Sequence, residues 1–136
     1  MILVDSNIFM YAAGAPHPHK QPCLDFLRRA AAGEVEVTLN SEVLQEILHR
    51  YRALNRWPEG RQAYDQARRI VPLTIPITVE VLDRSRRLLD ECARLMSRDA
   101  LHAAVVEIHR LDAICSYDRD FDQISRLRRI EPPETS

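Results

Sequence analysis

Apolar residues in this chain fall into short runs that alternate with longer stretches of helical period. Ile2-Leu3-Val4 is a compact apolar run stopped by Asp5-Ser6-Asn7, residues that favour turns and helix starts, so it predicts a buried strand ending at Asp5. Leu24, Leu27 and Ala31 recur at helical spacing and predict a helix from about Lys20 to Ala32, with Gly33 as its stop. Val35 to Leu39 reads as a second strand. Asn40-Ser41 offers an N-cap for a helix whose stripe is Val43, Leu44, Ile47, Leu48 and Tyr51, with Glu46 at its margin.

The second half repeats the alternation. Residues 58 to 71 read as helix, and Leu73 to Ile77 is apolar but broken by Pro76, which makes a strand there doubtful. Thr78 caps a predicted helix reaching about Met96, and Ser97 caps another carrying Leu101, Ala104, Val105, Ile108 and Leu111, with Asp99 in its first turn. Ala113 to Ser116 predicts a strand, then Tyr117-Asp118-Arg119-Asp120, a short helix near residues 121 to 127, and an edge strand ending at Ile130 before the tail Glu134-Thr135-Ser136. Alternating strands and helices without repeats predict an α/β fold: a mainly parallel sheet flanked by helices, as a single domain over residues 1–136. Ligands of such sheets bind beyond the carboxyl strand ends, where Asp5 and Asp118 are both expected.

Composition narrows the function classes. No apolar run approaches the roughly 18 residues of a membrane span, so a soluble cytoplasmic protein is expected. Cys23, Cys92 and Cys115 are odd in number and widely spaced, which suggests core thiols rather than disulfides or a thiolate metal site. Lys+Arg is 19 against Asp+Glu at 20, a net charge of -1, so any nucleic-acid contact must be local. Lys20 is the only lysine, and the paired arginines read as solvated helix faces.

The chemistry sits in the acids. Asp5, Glu46, Asp99 and Asp118 are expected from four different elements, and converging carboxylates suit a hard divalent cation that assists phosphodiester hydrolysis. Singly, each has a plainer reading. Asp5 can cap a helix, Asp99 can complement a helix dipole, Glu42 rivals Glu46, and Asp120 and Asp122 stand in reserve behind Asp118. The five histidines lack zinc-protease spacing, and His102 and His109 read as surface or packing residues.

Four segments together carry a resemblance: Val4-Asp5-Ser6-Asn7, Ser41-Glu42-Val43-Leu44-Gln45-Glu46, Ser97-Arg98-Asp99-Ala100-Leu101-His102-Ala103-Ala104, and Ser116-Tyr117-Asp118-Arg119-Asp120-Phe121. In this order they resemble the PIN-domain nucleases, and within them the VapC-type toxins, with Ser116 where many members have threonine. The resemblance implies a PIN-like three-layer fold and a magnesium-dependent endoribonuclease, with manganese as the alternative ion. It implies Asp5, Asp99 and Asp118 as metal ligands, Glu46 assisting, and Ser116 and Asn7 orienting them. It further implies hydrolysis of RNA by cation-activated water, a homodimer, and a small VapB-type antitoxin as partner. The rival classes are an inactive PIN fold kept for protein binding and a phosphoacceptor signalling domain. The latter needs a lysine near its acceptor, and Lys20 sits in an early helix.

Overall fold

A computed structural model describes residues 1–133, so the tail 134–136 lies outside the described residues. The chain runs β1 (Ile2–Val4), α1 (Ser6–Ala13), α2 (Lys20–Ala31), β2 (Val37–Asn40), α3 (Ser41–Ala53) and α4 (Trp57–Ile70). It continues with β3 (Thr74–Ile75), α5 (Val79–Glu91), α6 (Ser97–Ile108), β4 (Ala113–Cys115), a 3₁₀ turn (Arg119–Gln123) and β5 (Arg129–Ile130). The five strands are ordered β3-β2-β1-β4-β5, and every pairing is parallel.

The register explains the layering. Leu3 pairs with Ile114 and Val4 with Cys115 across β1 and β4. Side chains alternate between faces along a strand, so Val4, Cys115 and Leu39 pack with Ile8, Phe9, Phe26, Val43 and Ile47 of α1 to α3. Leu3 and Ile114 pack on the opposite face with Val81, Leu88, Ala104 and Val105 of α5 and α6. The sheet is therefore sandwiched between two helical layers.

Several predicted boundaries move. Ser6–Ala13 is a full helix capped by Asp5, whose side chain accepts from the Ser6 N–H. The sequence pattern registers only its start, because Ile8, Phe9 and Ala12 make a short stripe. A two-residue β3 forms despite Pro76, since Thr74 and Ile75 pair with Leu39 and Asn40 ahead of the proline. Helix α5 ends at Glu91 rather than near Met96, and Met96 occupies the N-cap of α6 without a side-chain hydrogen bond. The chain after Asp118 winds as 3₁₀ over Arg119–Gln123, with Asp118 accepting from the Asp120 N–H.

The strand order reverses direction between β1 and β4, the topological switch point at which open parallel sheets leave a crevice beyond their carboxyl ends. Asp5 follows β1 there, and Ser116 to Asp118 follow β4.

Candidate metal centre

The crevice is built by short local geometries. Asp5 is buried at 6 % exposure, its Oδ1 taking the Ser6 N–H at 2.7 Å and its Oδ2 taking the Ser116 hydroxyl at 2.6 Å. Ser116 is held in turn by its backbone N–H, which donates to Ile130 of β5. Asn7, one residue into α1, donates from Nδ2 to Ser116 Oγ at 3.1 Å and to Asp5 Oδ2 at 3.4 Å. Glu46 reaches the same place from α3: its Oε2 accepts the Ser6 hydroxyl at 2.5 Å.

The remaining Glu46 oxygen is bound by a residue that the sequence reading placed at a surface or in packing. His102 is 1 % exposed, and its Nε2 lies 2.9 Å from Glu46 Oε1 and 3.8 Å from Asp5 Oδ1. Its Nδ1 lies 2.9 Å from Asn40 Nδ2. Asn40 caps α3 by accepting the Val43 N–H on its Oδ1, which fixes its amino group toward the imidazole. Nδ1 therefore accepts and Nε2 carries the proton given to Glu46. The signal was present in the sequence, because His102 follows Asp99 by three residues on one helix and so shares its face. His109 is exposed.

The acids divide into two groups. Asp5, Glu46 and His102 offer ligand atoms within 4.8 Å of one another, as do Asp99, Asp118 and Asp120. In the first group most acceptor sites are occupied by the bonds just described. In the second, Asp99 has no side-chain hydrogen bond among the described residues, and Asp118 accepts one backbone N–H, from Asp120 at 2.9 Å. Asp122, the other reserve, is exposed and bonded to the Arg129 guanidinium at 3.0 Å. Glu42 lies half-buried one turn before Glu46.

Electrostatics follow this division. Burial, then the neighbouring charges of Asp118 and Asp5, push Asp99 up to about 6. Burial also raises Asp5, against the opposing pull of His102 and Ser116. For Glu46 burial acts upward, but the His102 and Ser6 bonds outweigh it and hold the carboxyl below its usual range. Carboxylates crowded without hydrogen-bond donors have unmet demand for positive charge. One further orphan joins them: Asn7 Oδ1 is buried and has no partner, although its own amino group bridges Asp5 and Ser116. A hard divalent cation meets this set of oxygen donors, and the residues present fit one.

An all-parallel α/β sheet that gathers acids at its switch point defines a protein with a cation-accepting acidic crevice. The PIN domain family model matches residues 2–127, and the chain belongs to that family. It is 40% identical over 130 residues to a VapC ribonuclease of Mycobacterium bovis, covering 96% of this chain and 99% of that protein. Ribonuclease VapC13 of Mycobacterium tuberculosis matches with the same identity and coverage, and Ribonuclease VapC23 of that species is 29% identical over 118 residues. A toxin-antitoxin complex from Klebsiella pneumoniae shares the fold, with TM-score 0.68 at 20% identity over 99% of this chain and 100% of that one. No helix among the described residues is long and apolar enough to cross a membrane.

Proposed function

We propose that this chain is a divalent-metal-dependent endoribonuclease and the toxin of a VapBC-type pair. The observation that carries the reading is the group of Asp99, Asp118 and Asp120, crowded together with few hydrogen-bond donors and set beside the buttressed Asp5. Relatives named ribonucleases, at 40% identity across nearly the whole chain, support RNA as substrate.

Asp99 and Asp118 would hold the ion, with Asp5 alongside and Asp120 able to join. When bound, magnesium or manganese supplies Lewis-acid stabilisation of the phosphate charge and lowers the pKa of water. The chain's own residues do the positioning. Ser116, Ser6 and Asn7 fix both Asp5 oxygens, and His102 with Ser6 fixes both Glu46 oxygens, so neither carboxylate can rotate away. Glu46, its carboxyl held below the usual range, assists by keeping a negative charge at the crevice, and in-line displacement by water would leave a 5′-phosphate and a 3′-hydroxyl. The reading extends to a cytoplasmic homodimer silenced by a small antitoxin that covers the acidic crevice, in keeping with the toxin-antitoxin neighbour.

The test is incubation of structured RNAs with wild type and with Asp5→Ala or Asp99→Ala, each with magnesium, manganese or chelator. Cleavage that needs the ion and is lost in both variants is expected; cleavage surviving in chelator overturns the mechanism. Growth arrest on expression, abolished by the same substitutions, identifies the toxin role.

A further inference from the structure

Arg129 of β5 touches both ends of the segment that carries Asp118 and Asp120. Its Nη1 donates to the Ser116 carbonyl at 3.0 Å, where that segment leaves β4. Its Nε and Nη2 donate to the two Asp122 oxygens at 3.0 and 3.3 Å, near the far end of the 3₁₀ turn. We infer that Arg129 is a positioning residue for the cation centre: one guanidinium pins the loop at entry and exit, so that Asp118 and Asp120 are held facing Asp99. The inference rests on the metal-dependent nuclease reading above.

The need for such a clamp follows from how β5 ends. In the parallel ladder of β4 and β5 the Ile114 N–H donates to the Arg128 carbonyl and the Ser116 N–H to the Ile130 carbonyl, both at 2.9 Å. The next rung would bring the N–H of residue 132 to the Ser116 carbonyl. Residue 132 is proline and has no N–H to give. The Arg129 side chain supplies the missing donor. It thereby fixes the peptide plane of a residue on which the crevice converges, because the Ser116 hydroxyl donates to Asp5 and accepts from Asn7 and from the Asp118 N–H.

The guanidinium is committed to this task and not to substrate. Its Nη1 also donates to Glu131 at 3.1 Å, so all three nitrogens are engaged, and the side chain is only 13% exposed. Two carboxylates already balance its charge. The planar fork suits the geometry, because one edge meets both oxygens of Asp122 while the remaining nitrogen reaches the carbonyl. A lysine ammonium offers a single nitrogen and cannot hold both anchors in this way. The neighbouring Arg128 is exposed, and so carries the same charge without the clamp.

Titration of the whole chain with magnesium by isothermal calorimetry, alongside steady-state cleavage of structured RNA, tests this. Arg129→Gln is expected to weaken magnesium binding by about 10–100-fold and to lower kcat by a similar factor, with KM for RNA within about twofold of wild type. Arg129→Lys keeps the charge and one anchor, and is expected to fall between the two. Asp122→Asn keeps an oxygen for the guanidinium and leaves the Ser116 anchor in place, so its effect is expected to be mild. Arg128→Gln removes the same charge one residue away and is expected to leave magnesium binding within about twofold of wild type. Wild-type magnesium affinity in Arg129→Gln overturns the inference. So does a loss of equal size in Arg128→Gln, which would make the effect one of net charge, or a raised KM with unchanged kcat, which would make Arg129 an RNA contact. Should Arg129→Gln fail to fold, Arg129→Lys decides: weakened magnesium binding supports the two-point clamp and wild-type affinity overturns it. Those failures leave magnesium binding and cleavage by the wild type standing, whereas a wild type that neither binds magnesium nor cuts RNA removes the nuclease reading itself.

Discussion

His102 gives its Nε2 proton to Glu46 across 2.9 Å while its Nδ1 receives one from Asn40, so a helix cap is wired through a buried imidazole to a carboxylate of the crevice. Removing the ring leaves Glu46 Oε1 and the Asn40 amino group buried without partners, each costing about 1–3 kcal/mol. His102→Leu is expected to lower the melting temperature by several degrees and to reduce kcat by about 10–100-fold, with KM for RNA little changed. His102→Gln, able to restore the bond to Glu46, should recover part of the activity. Calorimetry and steady-state cleavage check both, and a His102→Leu enzyme with wild-type kcat would remove the positioning role.

The raised carboxyl of Asp99 contributes to the pH dependence of the metal-free protein. Its folded value of about 6 exceeds the ordinary 3.8, so the folded state holds this proton more tightly than the unfolded state does. The resulting stabilisation is complete below 3.8 and is lost as pH rises through about 6. Metal-free protein is therefore expected to melt higher at pH 5 than at pH 7, and Asp99→Asn should flatten that slope. Magnesium binds the ionised form and should restore stability at the higher pH. A slope that Asp99→Asn leaves intact would trace the effect to other groups.

Asp120 and Asp122 are near neighbours in sequence but not in role. Asp120 shares the group with Asp99 and Asp118, while Asp122 is occupied by Arg129. Asp120→Asn is expected to weaken the magnesium-induced rise in melting temperature and to slow cleavage by about tenfold. Asp122→Asn should leave cleavage within about twofold of wild type, since an exposed ion pair contributes only about 0–1 kcal/mol. A magnesium titration followed by thermal melting separates them.

Gly60 offers a test of the scaffold. An alanine in an exposed helix interior gains about 1 kcal/mol over glycine, yet a Cβ here would stand 2.5 Å from Tyr51 Cβ where α4 crosses α3. That atom cannot swing aside, so overpacking of about 1–3 kcal/mol wins and Gly60→Ala is expected to melt lower. An unchanged or higher melting temperature would mean that the two helices part at no cost.

What could be read from the chain alone divides along physical lines. Parallel strands buried on both faces leave unbroken apolar runs, so Ile2–Val4 and Ala113–Cys115 were legible. Pairing with a neighbour is invisible in sequence, which is why Thr74–Ile75 beside Pro76 was doubtful. The meeting of the carboxylates was legible because Asp5 and Asp118 both follow strands of one parallel sheet. Their unequal hydrogen bonding was not, because it depends on partners distant in sequence: Glu46 is bonded by Ser6 and His102, and Asp99 by no side-chain donor among the described residues. His102 reads from the sequence as a surface or packing residue; it is buried, and its bond to Glu46 depends on a partner 56 positions away, to which only its spacing from Asp99 points. Asn40 was identified as a cap, and the use of its second polar group depends on a residue 62 positions away.

The central strand carries a consequence for how the cell could tolerate such an enzyme. Residues 2–4 lie at the middle of the sheet, yet one of their two partners, β4, is not synthesised until residues 113–115. Asp5 gains its Ser116 bond only then, and Asp118 and Asp120 arrive later still. A nascent chain emerging amino terminus first would thus carry no complete crevice until residues 116–120 have been made and folded back beside residues 2–5.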